Sequence, residues 1–253
     1  MTKRFGFTLA EVLITLGIIG VVAAMTIPTL VKNYQKTVWV NQLKKSVSTL
    51  EQGFQKALAD DGVDSLLDSE FVKRQGNESN QQYLERTFSK YFKVTKVEDL
   101  GEDIWNSYKA LNGGELGLDS VYGIYLEDGT MLLVYMFGFD EDGILSIINT
   151  RTNTKSLGGK FNTSIFTDWG IGIDINGNKK PNVMGRDYFQ FILAEDGHLY
   201  PEGGRDYAIW SWQKSITDTS NTRYWKNSND CSNSGYGFQC PGRIVESGWK
   251  MDY

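Results

Sequence analysis

The chain has 253 residues, of which 40% are hydrophobic and 23% are charged, a globular composition that excludes wholesale disorder. Its formal net charge is −5, and no basic patch stands out beyond Lys3 and Arg4, so nucleic acid is not an expected partner. The single histidine, His198, has no readable partner for zinc or triad chemistry. We therefore expect no catalytic residues and no enzymatic activity.

The first predicted element is a long apolar run near the N-terminus. From Phe7 to Leu30, 24 residues carry a single charge, that of Glu11. As a helix this run measures roughly 36 Å, enough to cross a hydrocarbon core of about 30 Å. Lys3 and Arg4 precede it, so the N-terminus should stay in the cytoplasm and the rest of the chain should be exported.

Glu11 separates three interpretations of this run. A secretory signal peptide, with "VVAAM" as its cleavage region, usually has a shorter apolar middle and no central acid. A plain membrane anchor leaves the carboxylate unexplained, because an acid in the span costs roughly 2.5–3.5 kcal/mol. A cut between Gly6 and Phe7 instead creates an amine that a staggered neighbouring subunit offers to Glu11. We favour this third interpretation because it gives the carboxylate a partner.

The stretch "GFTLAEVLITLGIIGVVAAMTIPTLVKNYQ", residues 6–35, resembles the N-terminal signature of type IV pilins and type II secretion pseudopilins. In that family a prepilin peptidase cuts after the glycine and N-methylates the new first residue. The resemblance implies cleavage after Gly6, methylation of Phe7 and an assembly role for Glu11. Gly20 and Pro28 fall where the family places a helix glycine and a helix-bending proline. The implied partners are the peptidase, other pilin or pseudopilin subunits and the inner membrane.

The helical pattern continues beyond Pro28, with apolar residues at spacings of mostly three and four until Asp60, Asp61 and Gly62 break it. Pro28 removes a backbone donor and is predicted to bend or locally melt the helix. The apolar positions of this second half are Val31, Tyr34, Val38, Leu43, Val47, Leu50, Phe54 and Leu58.

Four segments are predicted. Residues 1–6 are the leader peptide, and residues 7–30 are the half of the helix that spans the membrane and forms the filament core. Residues 31–60 are its amphipathic half, and residues 61–253 are a globular head. The predicted fold class is α+β, with the long helix packed on an antiparallel β-sheet as in pilins.

Within the head, residues 63–120 are predicted to form short helices and loops, with "NQQYLERTFSKYF" as the most helical piece. Asp-Gly pairs at 128–129, 142–143 and 196–197 lie between apolar, β-rich runs and predict hairpin turns. We expect an antiparallel meander of four or more strands with one face on the helix. The polar stretch 215–237 is expected to be surface loop, and the tail "CPGRIVESGWKMDY" is strand-like.

Cys231 and Cys240 enclose eight residues. In an exported domain they should form a disulfide, which stabilises a loop of this size by roughly 2.7 kcal/mol. A metal site is disfavoured because there are only two thiols, and redox catalysis because the spacing is not C-x-x-C. The pair also resembles the C-terminal disulfide loop of many pilins.

The stretch "DINGNKKPNVMGRD" is the best ligand-binding candidate. Asp174, Asn176 and Asn178 alternate oxygen-bearing side chains, and Asp187 follows. Calcium takes six to eight oxygen ligands, so calcium is the candidate ligand of this loop and the one candidate cofactor. Some major pseudopilins carry a calcium loop in the sheet region. The alternative is a polar Asx-type turn that joins two strands, because no glutamate closes the loop.

The predicted function is that of a structural subunit, major or minor, of a type IV pilus or a type II secretion pseudopilus. We expect a single-pass inner-membrane protein whose head lies outside the cytoplasm and which then enters an extracellular or periplasmic filament. The alternative is a pilin-anchored adhesin or carbohydrate-binding module, with an aromatic patch made of Trp210, Trp212, Tyr224 and Trp225.

Overall fold

The computed structural model describes residues 8–101, 104, 107–116, 121–135, 138–139, 143–145, 149–150, 153–166, 170–177 and 179–253. Two compact units divide the chain, one formed by residues 1–38 and the other by residues 39–253. Helix α1, Leu9–Asp61, contributes to both.

Helix α1 confirms the predicted long N-terminal helix and ends where the sequence pattern breaks. It runs through Pro28 without interruption, so the helix does not melt there. In the unit formed by residues 39–253, its buried residues recur at spacings of three and four, as a helix packed by one face requires. Val31 and Tyr34 lie N-terminal to this unit and are exposed. The buried apolar side chains of α1 are Val40, Leu43, Val47, Leu50, Phe54, Ala57 and Leu58.

Helix α2, Asn80–Tyr91, coincides with the piece predicted to be most helical. Its N-terminus is closed by a capping box, in which Ser79 accepts a hydrogen bond from the backbone of Gln82 and the Gln82 side chain accepts one in return. Phe88 of α2 meets Phe54 of α1 edge to face, with ring centroids 6.3 Å apart. Aromatic packing of this kind fixes α2 against α1.

In the described part of the head, one antiparallel sheet of eight strands forms its centre. Its order is β1-β2-β3-β6-β7-β5-β4, and β8 pairs with β7. The turns at 128–129 and 196–197 join β2 to β3 and β7 to β8, as predicted. Asp142, in the third predicted turn, lies outside the described residues. The strands are β1 Val94–Gly101, β2 Val121–Leu126, β3 Met131–Tyr135, β4 Asn149–Thr150, β5 Thr163–Ile165, β6 Ile171–Asp174, β7 Tyr188–Ala194 and β8 Leu199–Pro201.

The sheet corrects two expectations. It is not a simple meander, because β6 lies beside β3 and β5 and β4 lie beyond β7. Strand β1 also falls within residues 63–120, where only helices and loops were expected. Most of its side chains are partly or fully exposed, and charged residues are common in it. A charged edge strand is favoured because it resists pairing with other chains. Its apolar residues alternate only weakly, so the sequence pattern does not predict a strand there.

Both faces of the sheet are covered, and one of them packs on α1 as expected. All five residues of β3 are buried, and they alternate between two apolar clusters. Leu132 and Val134 join the cluster that contains α1, whereas Met131, Leu133 and Tyr135 join a cluster built with Tyr108 and Met184 on the opposite face. Successive strand residues point to opposite faces, so this alternation identifies a sheet buried on two sides.

The C-terminal tail was predicted to be strand-like, and that prediction is wrong. Residues Cys240–Glu246 form a helix, α4, with Pro241 in its first turn, where the missing N–H costs nothing. Ile244 of α4 is fully buried in the cluster that contains α1. A shorter helix, α3, spans Arg205–Trp212. Residues 215–237 form turns and one 3₁₀ segment, with several exposed side chains and with Asn221, Tyr224 and Cys231 buried.

Candidate functional site

The predicted processing site lies at the very start of the chain. Gly6 and Phe7 are outside the described residues, so cleavage and methylation there stay predictions. The described chain begins at Thr8, immediately before the first residue of α1.

Thr8 and Glu11 form a reciprocal capping box at the start of α1. The backbone N–H and the Oγ1 of Thr8 each donate to Glu11 Oε2, both at 2.8 Å. The backbone N–H of Glu11 donates in return to Thr8 Oγ1 at 3.2 Å. Sequence reasoning missed this partner, although the T-x-x-E spacing of "TLAE" is its usual signal. A single chain therefore already satisfies part of the hydrogen-bonding capacity of Glu11.

The helix after Glu11 exposes its apolar side chains. Within the unit of residues 1–38, the exposed large hydrophobic residues run from Leu9 to Tyr34. Each has between 40% and 77% of its surface accessible to solvent. Such a continuous apolar surface is unfavourable in water and marks contact with lipid or with other protein. Of the described helices, α1 alone has the length and composition to cross a membrane. Gly20 has no atom within 4 Å of the place where a Cβ would sit, so its surface is open to a neighbouring helix.

The loop between β6 and β7 brings Asp174 and Asp187 together. Asp174 ends β6 and pairs with Tyr188, the first residue of β7, so antiparallel pairing places Asp187 beside it. Both aspartates are fully buried. Asp187 accepts hydrogen bonds from the backbone N–H of Asn182 at 2.8 Å and of Val183 at 2.7 Å. Hydrogen bonds within the loop therefore hold its conformation.

Asn176 lies between the two carboxylates. Its side-chain Nδ2 donates to Asp187 at 3.2 Å, and its backbone N–H donates to Asp174 Oδ1 at 3.0 Å, which closes an Asx turn. Its Oδ1 is buried and accepts no hydrogen bond from the described residues. Tyr108 donates to the second oxygen of Asp174 at 2.5 Å. Three of the four residues predicted to bind calcium thus meet, and the fourth, Asn178, lies outside the described residues.

Burial governs the ionisation of both carboxyl groups. It raises the pKa of Asp174 to about 7, against the opposing hydrogen bonds from Tyr108 and from Asn176. Burial also raises the pKa of Asp187, while the backbone N–H groups of Val183 and Asn182 act to lower it. In the described part of the chain, no three His, Cys, Asp or Glu side chains group in a way that could hold a metal ion.

Two family models together match almost the whole chain. A model of the prokaryotic N-terminal methylation motif matches residues 1–27. A model of a family of unknown function, DUF6613, matches residues 29–253. The chain belongs to DUF6613. It also carries the type IV pilin and pseudopilin signature, which confirms the resemblance noted in residues 6–35. Comparisons with curated proteins and with solved structures found no match.

In this DUF6613 chain, Cys231 and Cys240 form the predicted disulfide, and both are buried. Arg243 lies one turn into α4 and donates from its guanidinium to the carbonyl of Cys231 at 2.9 Å. The disulfide and this hydrogen bond together tie the end of the 215–237 segment to α4.

His198 lies just after the turn between β7 and β8, with its side chain half exposed. Its Nδ1 is 3.4 Å from Glu51 Oε1 on α1. Glu51 Oε1 also accepts a hydrogen bond from the backbone N–H of Leu199 at 3.1 Å. His198 thus helps to join the hairpin to α1.

The four aromatic residues predicted to form a patch are not displayed together. Trp210 is fully buried and packs with Phe161, with ring centroids 5.4 Å apart. Tyr224 is also buried and donates to Glu246 at 2.9 Å. The four residues therefore do not form the predicted aromatic patch. The adhesin alternative, which also depends on the polar stretch 215–237, stays a hypothesis.

Proposed function

We propose that the protein is a structural subunit of a type IV pilus or of a type II secretion pseudopilus. One observation carries the proposal: the methylation motif leads directly into a single helix whose first half exposes apolar side chains and whose second half is buried in an α+β head. A helix of this kind suits storage in the membrane and later packing against other helices. The chain is the substrate of a processing enzyme rather than an enzyme.

In this proposal a prepilin peptidase removes residues 1–6 and methylates Phe7. Before assembly, the processed chain is an inner-membrane protein with its head outside the cytoplasm. Loss of Lys3 and Arg4 changes the formal charge from −5 to −7, because the 26 basic residues become 24 while the 31 acidic residues remain. Assembly transfers the apolar half of α1 from lipid into the filament core.

The proposed role of Glu11 is to set the register between subunits. Its carboxylate is held by Thr8 within one chain, and in the filament it takes the N-terminal amine of a neighbour as an ionic partner. A charge-assisted contact is stronger than the neutral hydrogen bonds it replaces, and more so where water is excluded. Glu11 is thus bound by Thr8 before assembly and by the neighbour's amine in the filament.

Filaments sheared from cells test the proposal directly. If the protein is a subunit, a version that begins at Phe7 should be recovered in the filament fraction. Its share of that fraction distinguishes a repeating subunit from a minor one. The length of the mature chain, 247 residues (253 minus 6), does not decide between them. Processed protein that never enters filaments, under conditions where filaments form, would contradict the proposal.

Calcium binding by the loop between β6 and β7 is a second proposal. It is supported by two buried carboxylates, Asp174 and Asp187, and by the unpartnered Oδ1 of Asn176 beside them. Against it, the carboxylate oxygens already accept N–H and O–H donors, so a bound ion would have to replace some of these donors.

Chelation distinguishes a calcium-binding loop from a plain hydrogen-bonded turn. If calcium binds, removing it from the detergent-solubilised protein should lower the melting temperature, and Asp187→Asn should abolish the difference. An unchanged melting curve with and without calcium would assign the loop to a plain hydrogen-bonded turn.

A further inference from the structure

We propose that the heads of successive copies dock end to end through charge, with the Lys179–Lys180 turn of one copy entering an acidic cavity of the next. The inference rests on the proposed function, because it requires copies that repeat along a filament. The proposed contact joins the heads of neighbouring copies, in addition to the contact between their N-terminal helices.

The cavity has a volume of about 540 Å³. Five parts of the chain form it: α1, the segment before β5 that carries Lys160, the hairpin of β7 and β8, the start of α3 and the end of α4. Four carboxylates and two permanent cations line it, so its net charge is −2 when His198, which also lines it, is neutral. These six charged residues are Glu51, Asp196, Asp206, Glu246, Lys160 and Arg205.

Two of the carboxylates have partners that leave their charge in place. Asp196 accepts only neutral donors among the described residues, the hydroxyl of Tyr200 at 2.8 Å and the backbone N–H of His198 at 3.0 Å. Glu246 is bound in the same way by the backbone N–H of Arg205, the hydroxyl of Tyr224 and the indole of Trp225. Neutral donors orient these carboxylates without neutralising them, so the cavity favours an incoming cation.

Lys179 and Lys180 have the complementary charge. Both are exposed, and within the described part of the chain no carboxylate is within ion-pair distance of either. The turn that carries them leads into Asn182, whose backbone N–H is held by the buried Asp187. The two ammonium groups therefore project from a braced turn rather than from a loose end.

The lysine turn and the cavity are different surfaces of one head. The lysines precede Tyr188, the first residue of β7, and neither lysine lines the cavity. The cavity extends from the hairpin turn after Ala194 back to Pro201, which pairs with Phe191 of β7. A positive surface and a separate negative surface on one subunit make a heterologous contact, which repeats without closing in a helical filament.

Cross-linking between copies tests this contact. Lys180→Cys and Arg205→Cys place one thiol on the turn and one at the cavity, while the two native cysteines are oxidised in the disulfide. Treatment of assembled filaments with a short bis-maleimide should give a ladder of dimers and higher multimers. Lys93→Cys with Arg205→Cys is the control, since Lys93 is 86% exposed and lies just before β1, outside both the lysine turn and the cavity. If the contact is specific to the lysine turn, the control pair should give a weaker ladder than the Lys180→Cys pair.

The outcomes separate this inference from the function on which it rests. Filaments that contain the protein but give no ladder would overturn the docking contact and leave the pilin assignment intact. A cross-link from the thiol introduced by Lys180→Cys to a different protein would overturn the assignment of the partner as a second copy. Failure of the unsubstituted chain to enter filaments would overturn the proposed function, and the docking contact with it.

Charge reversal gives an independent readout. Lys179→Glu with Lys180→Glu should reduce the amount of filament recovered, because the glutamates would face a cavity that is already acidic. Processing and melting temperature should be unchanged, since both side chains are exposed and unpaired in the described structure. Equal filament recovery would contradict the proposal.

Discussion

Thr8 and Glu11 satisfy each other across the first turn of α1, through three hydrogen bonds of 2.8, 2.8 and 3.2 Å. This arrangement supplies a second explanation for an acid inside an apolar run. A capping box stabilises a helix start by roughly 0.5–2 kcal/mol whether or not the helix joins a filament. The cap and the intersubunit register are separate roles, and they require different chemistry from the same side chain.

Glu11→Gln separates the two roles. Glutamine keeps an oxygen that can accept from Thr8, so the cap survives, but it has no charge to pair with an amine. If Glu11 sets register, Glu11→Gln should be processed normally and should assemble as poorly as Glu11→Val. The measurement is the filament-associated fraction relative to the membrane fraction. Wild-type assembly of Glu11→Gln would show that the cap alone accounts for the residue.

Thr8→Val is the matched variant, since it keeps the shape of the side chain and removes the Oγ1 hydrogen bonds. It should cost about 0.5–2 kcal/mol at the start of the helix and leave the register intact. We therefore expect filaments to form, and a complete failure to assemble would mean that Thr8 does more than hold Glu11 at rest.

The stability of the head should fall as pH rises through neutrality. Burial raises the pKa of Asp174 from its ordinary value of 3.8 to about 7, so the folded state binds a proton that the unfolded state has lost. The stabilisation is present below the unfolded pKa and is lost as pH rises through the folded pKa. Between pH 5 and pH 8 the loss is on the order of 2–3 kcal/mol.

Denaturant unfolding at the two pH values measures this loss, with chelator present. Asp174→Asn is the control, because the amide oxygen still accepts from Tyr108 and cannot ionise. Acid-sensitive groups such as Glu78, whose pKa the hydrogen bond from Arg86 lowers, act only at lower pH. Greater stability at pH 8 than at pH 5 in the wild type would contradict the assignment to Asp174.

Gly53 of α1 is required by the ring of Phe92. A Cβ at this position would overlap the aromatic carbons of Phe92, which packs against Phe54 with ring centroids 5.3 Å apart. Overpacking of this kind costs about 1–3 kcal/mol, while replacing glycine in a helix returns up to about 1 kcal/mol. Gly53→Ala should therefore lower the melting temperature of the protein.

Gly17→Ala is the control in the same helix, because an added Cβ there has nothing within 4 Å. It should leave the melting temperature of the head unchanged. Equal stability of Gly53→Ala and the wild type would mean that the Phe92 ring moves at no cost.

The disulfide between Cys231 and Cys240 should stabilise the head by restricting the unfolded chain. A loop of this length corresponds to about 2–3 kcal/mol. Reduction, or the double substitution Cys231→Ser and Cys240→Ser, should lower the free energy of unfolding by that amount. Denaturant unfolding with and without reductant checks it, and identical midpoints would show that packing of α4 alone fixes the loop.

The long helix and two hairpins are predictable from sequence because their signals are local. Helical spacing, the break at Asp60–Gly62, and Asp-Gly turns each act over a few residues. The convergence of Asp174 and Asp187 was also within reach, because antiparallel pairing of the strands on either side of one loop brings its two ends together.

The remaining features depend on long-range contacts. The strand β1 is a charged edge, and its identity depends on pairing with β2 rather than on its own pattern. The tail became α4 because Pro241 opens a helix and Ile244 finds a buried place, neither of which apolar and aromatic content reveals. The acidic cavity joins residues from position 51 to position 246, so no local motif marks it.

The N-terminal mass of protein taken from cell membranes decides whether the chain is a processed pilin-type subunit. We expect a chain that begins at Phe7 and is heavier by one methyl group. A chain that begins at Met1 would indicate a plain anchor, and one that begins near Met25 an ordinary secreted protein. Either result would contradict processing as a pilin, because the first leaves no amine close to Glu11 and the second removes Glu11 itself.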